Sequence, residues 1–229
     1  MLVDAADETA AAVVERGRRP RTTVVLIAVI AVGVLVIAGA VGWLMRGSGS
    51  GTSTPATSSV DVGFARDMST HHVQAITMAG YERDNTTNSA LKVLAADIET
   101  QQQFQIGEMQ GWLDTWGLTV ENPGKRMVWM GPEHAQHVIN GLMPGMATPA
   151  QMGQLQAMHG NALDVFFLQL MIHHHQGGVV MARFAAAHAQ LADVRNLAQA
   201  MVVAQSSEIV QMEQLLRQLG GSPLPPPQT

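Results

Sequence analysis

The sequence predicts an all-α fold: a four-helix bundle made from a duplicated helical hairpin, preceded by one transmembrane helix. Three observations predict it. An uncharged apolar run covers residues 22–45, a sequence pattern recurs at a fixed offset of 103 residues, and each repeat places its apolar residues at helical spacing. No stretch shows the two-residue alternation that is typical of a half-buried strand.

The apolar run of residues 22–45 is long enough to cross a membrane, which takes about 20 residues. Four arginines precede it, at positions 16, 18, 19 and 21, and only Arg46 follows closely. The positive-inside rule then places residues 1–21 in the cytoplasm as a short tail and the bulk of the chain outside. The alternative is a secreted protein that is released by cleavage near the small residues Ala38 to Ala40.

Composition divides the remainder of the chain. Residues 46–59 are rich in Gly, Ser and Thr, as in flexible linkers, and residues 221–229 form a proline-rich tail that we expect to be disordered. Between them, residues 60–220 form the predicted exported bundle, with 8 Lys and Arg against 14 Asp and Glu. This acidic balance favours cations as ligands and argues against nucleic-acid binding.

The chain contains 15 methionines, 9 histidines and no cysteine. The absence of cysteine excludes disulfides, thiolate metal sites and cysteine nucleophiles. Methionine and histidine are therefore the side chains through which this chain would hold a soft metal.

The repeat begins at Asp61 in its first occurrence and at Asp164 in its second. Its identities extend through the two helices that each repeat predicts, and the acidic residue at the start suits a helix N-terminus. Two such hairpins pack most simply as a four-helix bundle with a pseudo-twofold axis. The matching residues are Asp61, Phe64, Met68, His71, His72, Met78, Ala79, Leu94, Ala95, Gln102, Ile106 and Met109 with Asp164, Phe167, Met171, His174, His175, Met181, Ala182, Leu197, Ala198, Gln205, Ile209 and Met212.

The crossover between the hairpins, residues 117–163, is long for a bundle, and such segments often carry function. Prolines near the first turns predict helices over residues 132–140 and 149–160. His134 and His137 would lie on one face of the first of these helices, either as a chelating pair or as part of a solvated face.

The histidines and methionines of the repeats indicate a metal site. One such methionine alone is most simply core packing, but the set recurs at the same spacing in both repeats. Thioether and imidazole ligands suit Cu(I), and imidazole with carboxylate also suits Cu(II). The predicted metal ligands are His71, His72, Met68, Met78 and Met109 in the first repeat and His174, His175, Met171, Met181, Glu208 and Met212 in the second.

Two expectations about this site follow from general chemistry. Adjacent helical residues point about 100° apart, so one histidine of each pair should face the bundle and the other its flank or the crossover. Imidazole protonates near pH 6.5 whereas a thioether does not, so histidine sites should release a metal in mild acid before methionine sites do.

At these residues the chain resembles the bacterial domain-of-unknown-function family 305, whose duplicated helices read M-x-x-H-H-x-x-A/G-x-x-M-A and are followed by Q-x-x-E-I-x-x-M. The second repeat matches the latter motif from Gln205 to Met212, and residues 143–146 match the family's M-P-G-M loop. The resemblance covers about residues 60–219. It implies a ferritin-like four-helix bundle, an exported location and, as in the CopM-like members, copper binding linked to copper tolerance. Gln105 stands where the family has glutamate, so we rank the second repeat as the better metal site.

The leading hypothesis is a membrane-anchored protein outside the cytoplasm that sequesters copper, confers tolerance or passes copper on. We expect Cu(I) rather than Cu(II) as its ligand, residues 22–45 as its membrane contact, and no enzymatic activity. One alternative is a non-catalytic accessory subunit of a membrane complex, for example a respiratory one, bound to an exported or membrane protein. A ferritin-like di-iron or di-manganese enzyme is less favoured, because the predicted stripes lack Glu-x-x-His motifs and carry only Glu82 and Glu208 as acids.

Overall fold

The computed structural model of the protein describes residues 54–121 and 124–229, and in these ranges every regular element is helical. The crossover holds a 3₁₀ turn, Val128–Met130, and two short helices, α3 Pro132–Ala135 and α4 Pro149–Ala157. The all-α class and the helical bundle are thereby confirmed for the described residues, whereas the ferritin-like designation stays a prediction. The four long helices are α1 Val60–Asn85, α2 Ser89–Thr115, α5 Gly160–His188 and α6 Ala192–Gln218.

The predicted transmembrane helix, residues 22–45, and the predicted cytoplasmic tail lie outside the described residues. Within residues 54–121 and 124–229, none of the helices combines the length and the hydropathy that crossing a membrane requires. The anchor therefore stays a prediction from the sequence.

Short polar residues set the ends of the first hairpin. α1 begins at Val60 because the Ser59 side chain accepts a hydrogen bond from the backbone N–H of Val62 at 3.2 Å. The Asn88 side chain does the same for α2, accepting hydrogen bonds from the backbone N–H groups of Ala90 (3.0 Å) and Leu91 (3.4 Å). Between them, Thr86 is extended and ends α1. The first hairpin is therefore closed by its local sequence.

Two buried aspartates join the hairpins to each other. Asp61 accepts hydrogen bonds from the backbone N–H groups of Gln190 (3.1 Å) and Leu191 (2.8 Å), in the turn between α5 and α6. Asp164 accepts one from the Thr86 hydroxyl at 2.8 Å, in the turn between α1 and α2. Each carboxylate thus holds the start of one hairpin against the turn of the other, a role beyond the capping of its own helix that the sequence suggested.

The apolar core forms two separate clusters, one towards each end of the bundle. Because the second hairpin runs antiparallel to the first, methionines that match by repeat lie in different clusters. Burying one methionine side chain contributes about 1.5–3 kcal/mol, so packing alone gives these residues a structural role. The first apolar cluster contains Met68, Met109, Met127, Met130, Met143, Met181 and Met201, and the second contains Met78, Met171 and Met212.

Asp67 fastens the start of the crossover to α1. Its carboxylate accepts hydrogen bonds from the Met127 backbone N–H (2.7 Å), the Trp129 indole N–H (2.9 Å) and the Arg126 guanidinium (3.3 Å). The Trp129 ring lies against the backbone at Gly63, where a Cβ would stand 2.3 Å from the ring. Glycine at that position therefore makes room for the indole.

Both crossover helices are shorter than predicted. α3 stops at Ala135, because the chain then turns back and Ile139 pairs its backbone with Leu142 at 3.0 and 2.9 Å. α4 stops at Ala157, because Met158 is extended with ψ 156°. Proline in the first turn identified where these helices begin but not where they end.

Candidate metal centre

A layer of polar side chains crosses the bundle between the two apolar clusters, and each long helix contributes two of them. On every helix these positions fall between residues of the first cluster and residues of the second. Seven members are at most 8% exposed, whereas the Glu208 side chain is 16% exposed. The members of this histidine layer are His71, His72, Gln102, Gln105, His174, His175, Gln205 and Glu208.

His71 and His174 stack on each other at the centre of the layer, with ring centroids 3.7 Å apart and planes inclined by 36°. Nε2 of His174 donates to the backbone carbonyl of His71 at 3.0 Å, and Nε2 of His71 donates to that of Pro144 at 3.2 Å. A carbonyl oxygen only accepts, so both rings carry their proton on Nε2 and leave Nδ1 as a lone pair. The two repeats therefore meet in one common layer, a point that the sequence left open.

The outer histidines, His72 and His175, each hydrogen-bond to the second helix of their own hairpin. Nε2 of His72 lies 2.8 Å from Oε1 of Gln105, and Nε2 of His175 lies 2.7 Å from Oε2 of Glu208. These two pairs are equivalent by the repeat. The first ring has a neutral amide as its acceptor, whereas the second has a carboxylate, which fixes the orientation and tautomer of a metal-binding ring.

All four rings of the two histidine pairs lie inside the bundle, at most 1% exposed. The expectation that one ring of each pair would face the flank or the crossover holds for His71, which donates to Pro144 of the crossover, while no ring reaches the solvent-facing flank. The roughly 100° between adjacent residues is accommodated because the inner rings meet across α1 and α5, while the outer rings face α2 and α6.

Three of these histidines keep an unpaired nitrogen in the interior. Nδ1 of His71, His72 and His175 is buried and has no hydrogen-bond partner. Leaving such an atom unpaired costs about 1–3 kcal/mol. A metal-binding histidine typically donates its other ring N–H to a carbonyl or carboxylate, which fixes the ring and its tautomer. The three rings have this support, from a backbone carbonyl, an amide and a carboxylate, so the donor set fits a metal that accepts neutral imidazole.

The layer does not form a closed cage of hard ligands. In the part of the chain that the structure describes, no three His, Asp or Glu side chains are placed to hold a metal ion together. Both polar atoms of the Gln102 side-chain amide, Nε2 and Oε1, are also buried without a hydrogen-bond partner, as is Oε1 of Gln205. An ion in the layer would bind fewer than three imidazoles or carboxylates, which suits a soft ion that also accepts thioethers.

Burial keeps three of the four rings of the layer neutral. Desolvation, reinforced by the neighbouring His72, lowers the pKa of His71 to about 3. Desolvation also lowers the pKa of His72 to about 3 against the opposing hydrogen bond from Gln105, and it lowers the pKa of His174 well below 6.5. Protons therefore do not compete for these nitrogens in mild acid. The expectation that histidine sites lose a metal before methionine sites does not apply to rings in this environment.

The predicted methionine ligands are all buried, but they lie above and below the level of the histidines along the bundle. Met68, Met109 and Met181 lie in the first apolar cluster, on one side of the layer, and the other three lie in the second. Met78 and Met181 are seven residues from the inner histidine of their helix, or about 10 Å along the axis. Met68 and Met171 are only three residues away, so they are the methionines best placed to meet a ring. Metal binding stays a prediction for all six of these residues: Met68, Met78, Met109, Met171, Met181 and Met212.

The pair His134 and His137 does not form the predicted helical face. His134 lies on the single turn of α3 and its ring is 5.8 Å from that of Phe184, whereas His137 lies beyond the helix. The chelating geometry that the sequence allowed required a helix over residues 132–140, and that helix is confined to its first turn.

Sequence reasoning missed the part of the site that the crossover supplies. Residues 143–147, here named the MPGM loop, lie over the inner rings: Pro144 accepts from His71, and the Gln74 amide bonds both the N–H (2.7 Å) and the carbonyl (2.9 Å) of Ala147. A Cβ at Gly177 would stand 2.0 Å from the Pro144 oxygen, so glycine is needed for this approach. The signal in the sequence was the Gly177-Gly178 pair directly after the histidines.

Comparison with known proteins agrees with this arrangement. The family model DUF305, a domain of unknown function, matches residues 61–216. A crystal structure of a putative secreted DUF305 protein from Streptomyces coelicolor is 42% identical, with a TM-score of 0.68, over 74% of this chain and 99% of that one. A DUF305 fragment from Deinococcus radiodurans is 31% identical, with a TM-score of 0.58, over 69% and 96%. No curated protein matches the chain.

The copper-binding relative is similar over the same region. CopM in its Cu(I)-bound form is 26% identical to this chain, with a TM-score of 0.56, over 70% of this chain and 98% of that one. CopM structures in Ag-bound and Cu(II)-bound forms match similarly. The family match spans both hairpins and the crossover, which are the elements that build the histidine layer. This chain therefore belongs to the DUF305 family.

Proposed function

We propose that this chain is a copper-binding protein that works outside the cytoplasm, sequestering Cu(I) or passing it on from the histidine layer. The observation that carries the proposal is the trio of buried, unpaired Nδ1 atoms on His71, His72 and His175, whose opposite nitrogens are already held. The Cu(I), Cu(II) and Ag forms of CopM support it from a relative.

The chemistry of the layer favours Cu(I) over Cu(II). Its nitrogen donors are neutral imidazoles, its only carboxylate is Glu208, and thioethers lie on both sides of it. Soft Cu(I) accepts imidazole and thioether ligands, whereas Cu(II) prefers a set with more oxygen and nitrogen donors in a square plane. Ag(I) is a soft ion of the same charge and a suitable spectroscopic substitute.

The layer supports binding rather than turnover. Di-iron and di-manganese carboxylate enzymes of bundle folds take a carboxylate from each of two helices and a Glu-x-x-His motif from each of the others. Glu208 alone among the layer's eight residues is acidic. We therefore propose a non-enzymatic role, and an iron- or manganese-dependent activity of the purified protein would contradict it.

Membrane attachment is the second part of the proposal. Residues 22–45 are uncharged and apolar over a length that spans a bilayer, and the basic residues before them orient the bundle outwards. Retention of the full chain in membranes washed with alkaline carbonate, with the bundle accessible to protease from outside, is the expected result. Recovery of a shortened chain in the medium would instead support signal cleavage and secretion.

The central test is Cu(I) titration of the full-length protein in detergent against a competing chelator. The double variant His71→Ala/His174→Ala is expected to lose the tight site, and His188→Ala, an exposed histidine, is the matched control. Because the double variant removes core groups, ¹⁵N NMR of the wild-type imidazoles supplies a second readout. In the metal-free protein, the Nδ1 signals of these rings should appear at the chemical shift of unprotonated imidazole nitrogen. They should move when Ag(I) is added.

Two outcomes contradict the copper proposal. One is binding no tighter than that of surface histidines, and the other is binding that the double variant leaves intact while the control behaves identically. Recovery of a stable membrane complex with the metal-free protein would favour the accessory-subunit alternative.

A further inference from the structure

The MPGM loop brings its backbone into contact with both helices that carry the inner histidines. Towards α1, the Pro144 carbonyl accepts a hydrogen bond from Nε2 of His71 at 3.2 Å. Towards α5, a Cβ at Gly145 would stand 2.5 Å from the His173 carbonyl oxygen, and Nδ1 of His173 lies 3.3 Å from the Gly145 carbonyl. The loop therefore lies against α1 and α5 at the level of the inner rings.

Gln74 of α1 ties this loop to the helix that carries His71. It lies three residues after His71 and hence on the same side of the helix. Its amide oxygen accepts a hydrogen bond from the Ala147 backbone N–H at 2.7 Å, and its amide nitrogen donates to the Ala147 carbonyl at 2.9 Å. Two parallel bonds to one residue fix both the distance and the orientation of the loop, three residues after Pro144.

The second repeat meets the loop in a different way. Gly177 is the repeat equivalent of Gln74, and a Cβ there would stand 2.0 Å from the Pro144 oxygen. One position therefore holds the loop with a side chain, whereas the other admits the loop because it has none. His174 does not use the loop as a partner, since its Nε2 donates to the backbone carbonyl of His71 at 3.0 Å. The loop thus supports the inner ring of the first repeat.

The bond to Pro144 determines which nitrogen of His71 is free. A carbonyl oxygen only accepts, so the proton of the ring is on Nε2, and Nδ1 keeps a lone pair that is buried and has no partner. If the loop moved away, the Nε2–H group would also be unpaired, and neither the tautomer nor the orientation of the ring would be fixed. The use of this ring as a ligand therefore depends on where the loop is held.

We infer that Gln74 is a positioning residue of the metal centre, which presents Nδ1 of His71 to the ion. It does so by holding Ala147, so that the Pro144 carbonyl stays on Nε2 of the ring. The inference rests on the proposed function, and it adds a residue that does not itself bind the ion. Loss of the Gln74 side chain should affect His71 and leave the hydrogen bond of His174 in place.

Proton exchange in the metal-free, full-length protein tests the structural step. NMR of histidine-labelled protein in detergent follows the Nε2–H protons of His71 and His174. In Gln74→Ala, exchange of the His71 proton with solvent should quicken about tenfold, because the two hydrogen bonds that held the loop are lost. The His174 proton, which is bonded to a helix carbonyl, should exchange as in the wild type. General loss of stability would instead quicken the exchange of both protons.

Cu(I) titration against a competing chelator tests the metal step. Gln74→Ala is expected to bind Cu(I) about tenfold more weakly, the usual effect of losing the support of a metal-binding histidine. The matched control is Gln169→Ala, because Gln169 of α5 donates to the Ser222 carbonyl at 2.8 Å and so ties a long helix to a different non-helical segment. The control should bind Cu(I) as tightly as the wild type.

The inference is overturned if the His71 proton is as protected in Gln74→Ala as in the wild type, whether or not the protein binds copper. It is also overturned if the wild-type protein binds copper and Gln74→Ala binds it equally tightly, or if Gln169→Ala weakens binding as much. Absence of copper binding by the wild-type protein is a different result, and it removes the proposed function itself.

Discussion

The two repeats share their helices, their aspartate ties and their histidine pairs, yet three of the differences at polar positions affect the layer, the attachment of the loop and the end of the helix. Where the repeats agree, they build one layer from two halves. Where they differ, each substitution gives one half a property that the other lacks: charge at the layer, room for the loop, or a buried acid at the end of the helix. The differing pairs are Gln105 with Glu208, Gln74 with Gly177, and Glu82 with Ala185.

The two repeats are alike in how their cores pack, and they differ in the polar groups at the histidine layer. A duplicated hairpin can pack about a pseudo-twofold axis with any two similar cores, and the two apolar clusters do so. Loop attachment and solvent exposure break that symmetry, because the MPGM loop lies against one side and the Glu208 side chain is 16% exposed where Gln105 of the first repeat is buried. The packing of the two hairpins does not require these differences, so variants that restore or remove the symmetry are the most direct probes of the histidine layer.

The largest expected effect comes from acid, which tests whether the two repeats act as one layer. The pKa values of His71, His72 and His174 lie far below 6.5 in the folded chain, so the unfolded chain binds more protons as the pH falls from 6.5 towards 3. Stability from these rings is present above pH 6.5 and is lost on the way down, by about 1.4 kcal/mol per pH unit for each ring. Urea unfolding of the metal-free protein between pH 4 and pH 7 measures this loss.

The His72→Asn variant should lose about a third of that pH dependence, because it removes one of three rings that resist protonation. A free energy of unfolding that is equal at pH 4.5 and pH 6.5 would show that the layer is hydrated and that its rings titrate normally.

The next effect concerns the loop side, where the second repeat has glycine. Gly177→Ala places a Cβ 2.0 Å from the Pro144 oxygen, so either the loop or α5 must move. We expect a loss of about 1–3 kcal/mol, the usual cost of overpacking, although alanine is the better helix former by about 1 kcal/mol. Gly107→Ala on α2, where nothing lies within 4 Å of the new Cβ, is the control and should stabilise the protein. Equal melting temperatures for the two variants would contradict close contact between loop and helix.

A smaller effect comes from Glu82, the buried acid that the second repeat replaces with Ala185. Burial and the neighbouring Asp164 raise the pKa of Glu82 to about 8. The folded chain then binds more protons than the unfolded chain between pH 4.5 and pH 8, so stability is lost as the pH rises through that window. Glu82→Gln should therefore be more stable than wild type at pH 8.5, with little difference at pH 4.5. Thermal melts at both pH values decide it, and a constant offset between the proteins would contradict a protonated Glu82.

The sequence predicted much of the fold and part of the candidate site. Helical spacing and exact repeat identity placed the four long helices and both histidine pairs, because burial of a stripe leaves a periodic trace. Gln102 and Gln205 were found as repeat matches but not as site members, since a glutamine on a buried stripe has no distinctive spacing. Their place in the layer appears only when the helices are packed.

Other features depend on contacts that no local pattern encodes. Methionines that match by repeat lie on opposite sides of the layer, because the two hairpins run in opposite directions. The MPGM loop can approach the inner rings because Gly177, about thirty positions away in sequence, has no Cβ at the point of contact.

The smallest expected effect tests the difference at the layer itself. Gln105→Glu gives His72 the carboxylate partner that His175 already has in Glu208, and the Nε2 atoms of both rings would then donate to a carboxylate. A carboxylate partner raises the basicity of the ring's free nitrogen and holds its orientation, and such partners change metal affinity about tenfold or more. We therefore expect Cu(I) affinity to rise by about tenfold, equivalent to about 1.4 kcal/mol. Gln110→Glu, five residues further along α2, adds the same charge to the same helix outside the layer and should leave affinity unchanged. If Gln105→Glu binds Cu(I) no more tightly than this control, the two outer histidines do not act as equivalent ligands, and the asymmetry between the repeats has a cause other than the partner of the ring.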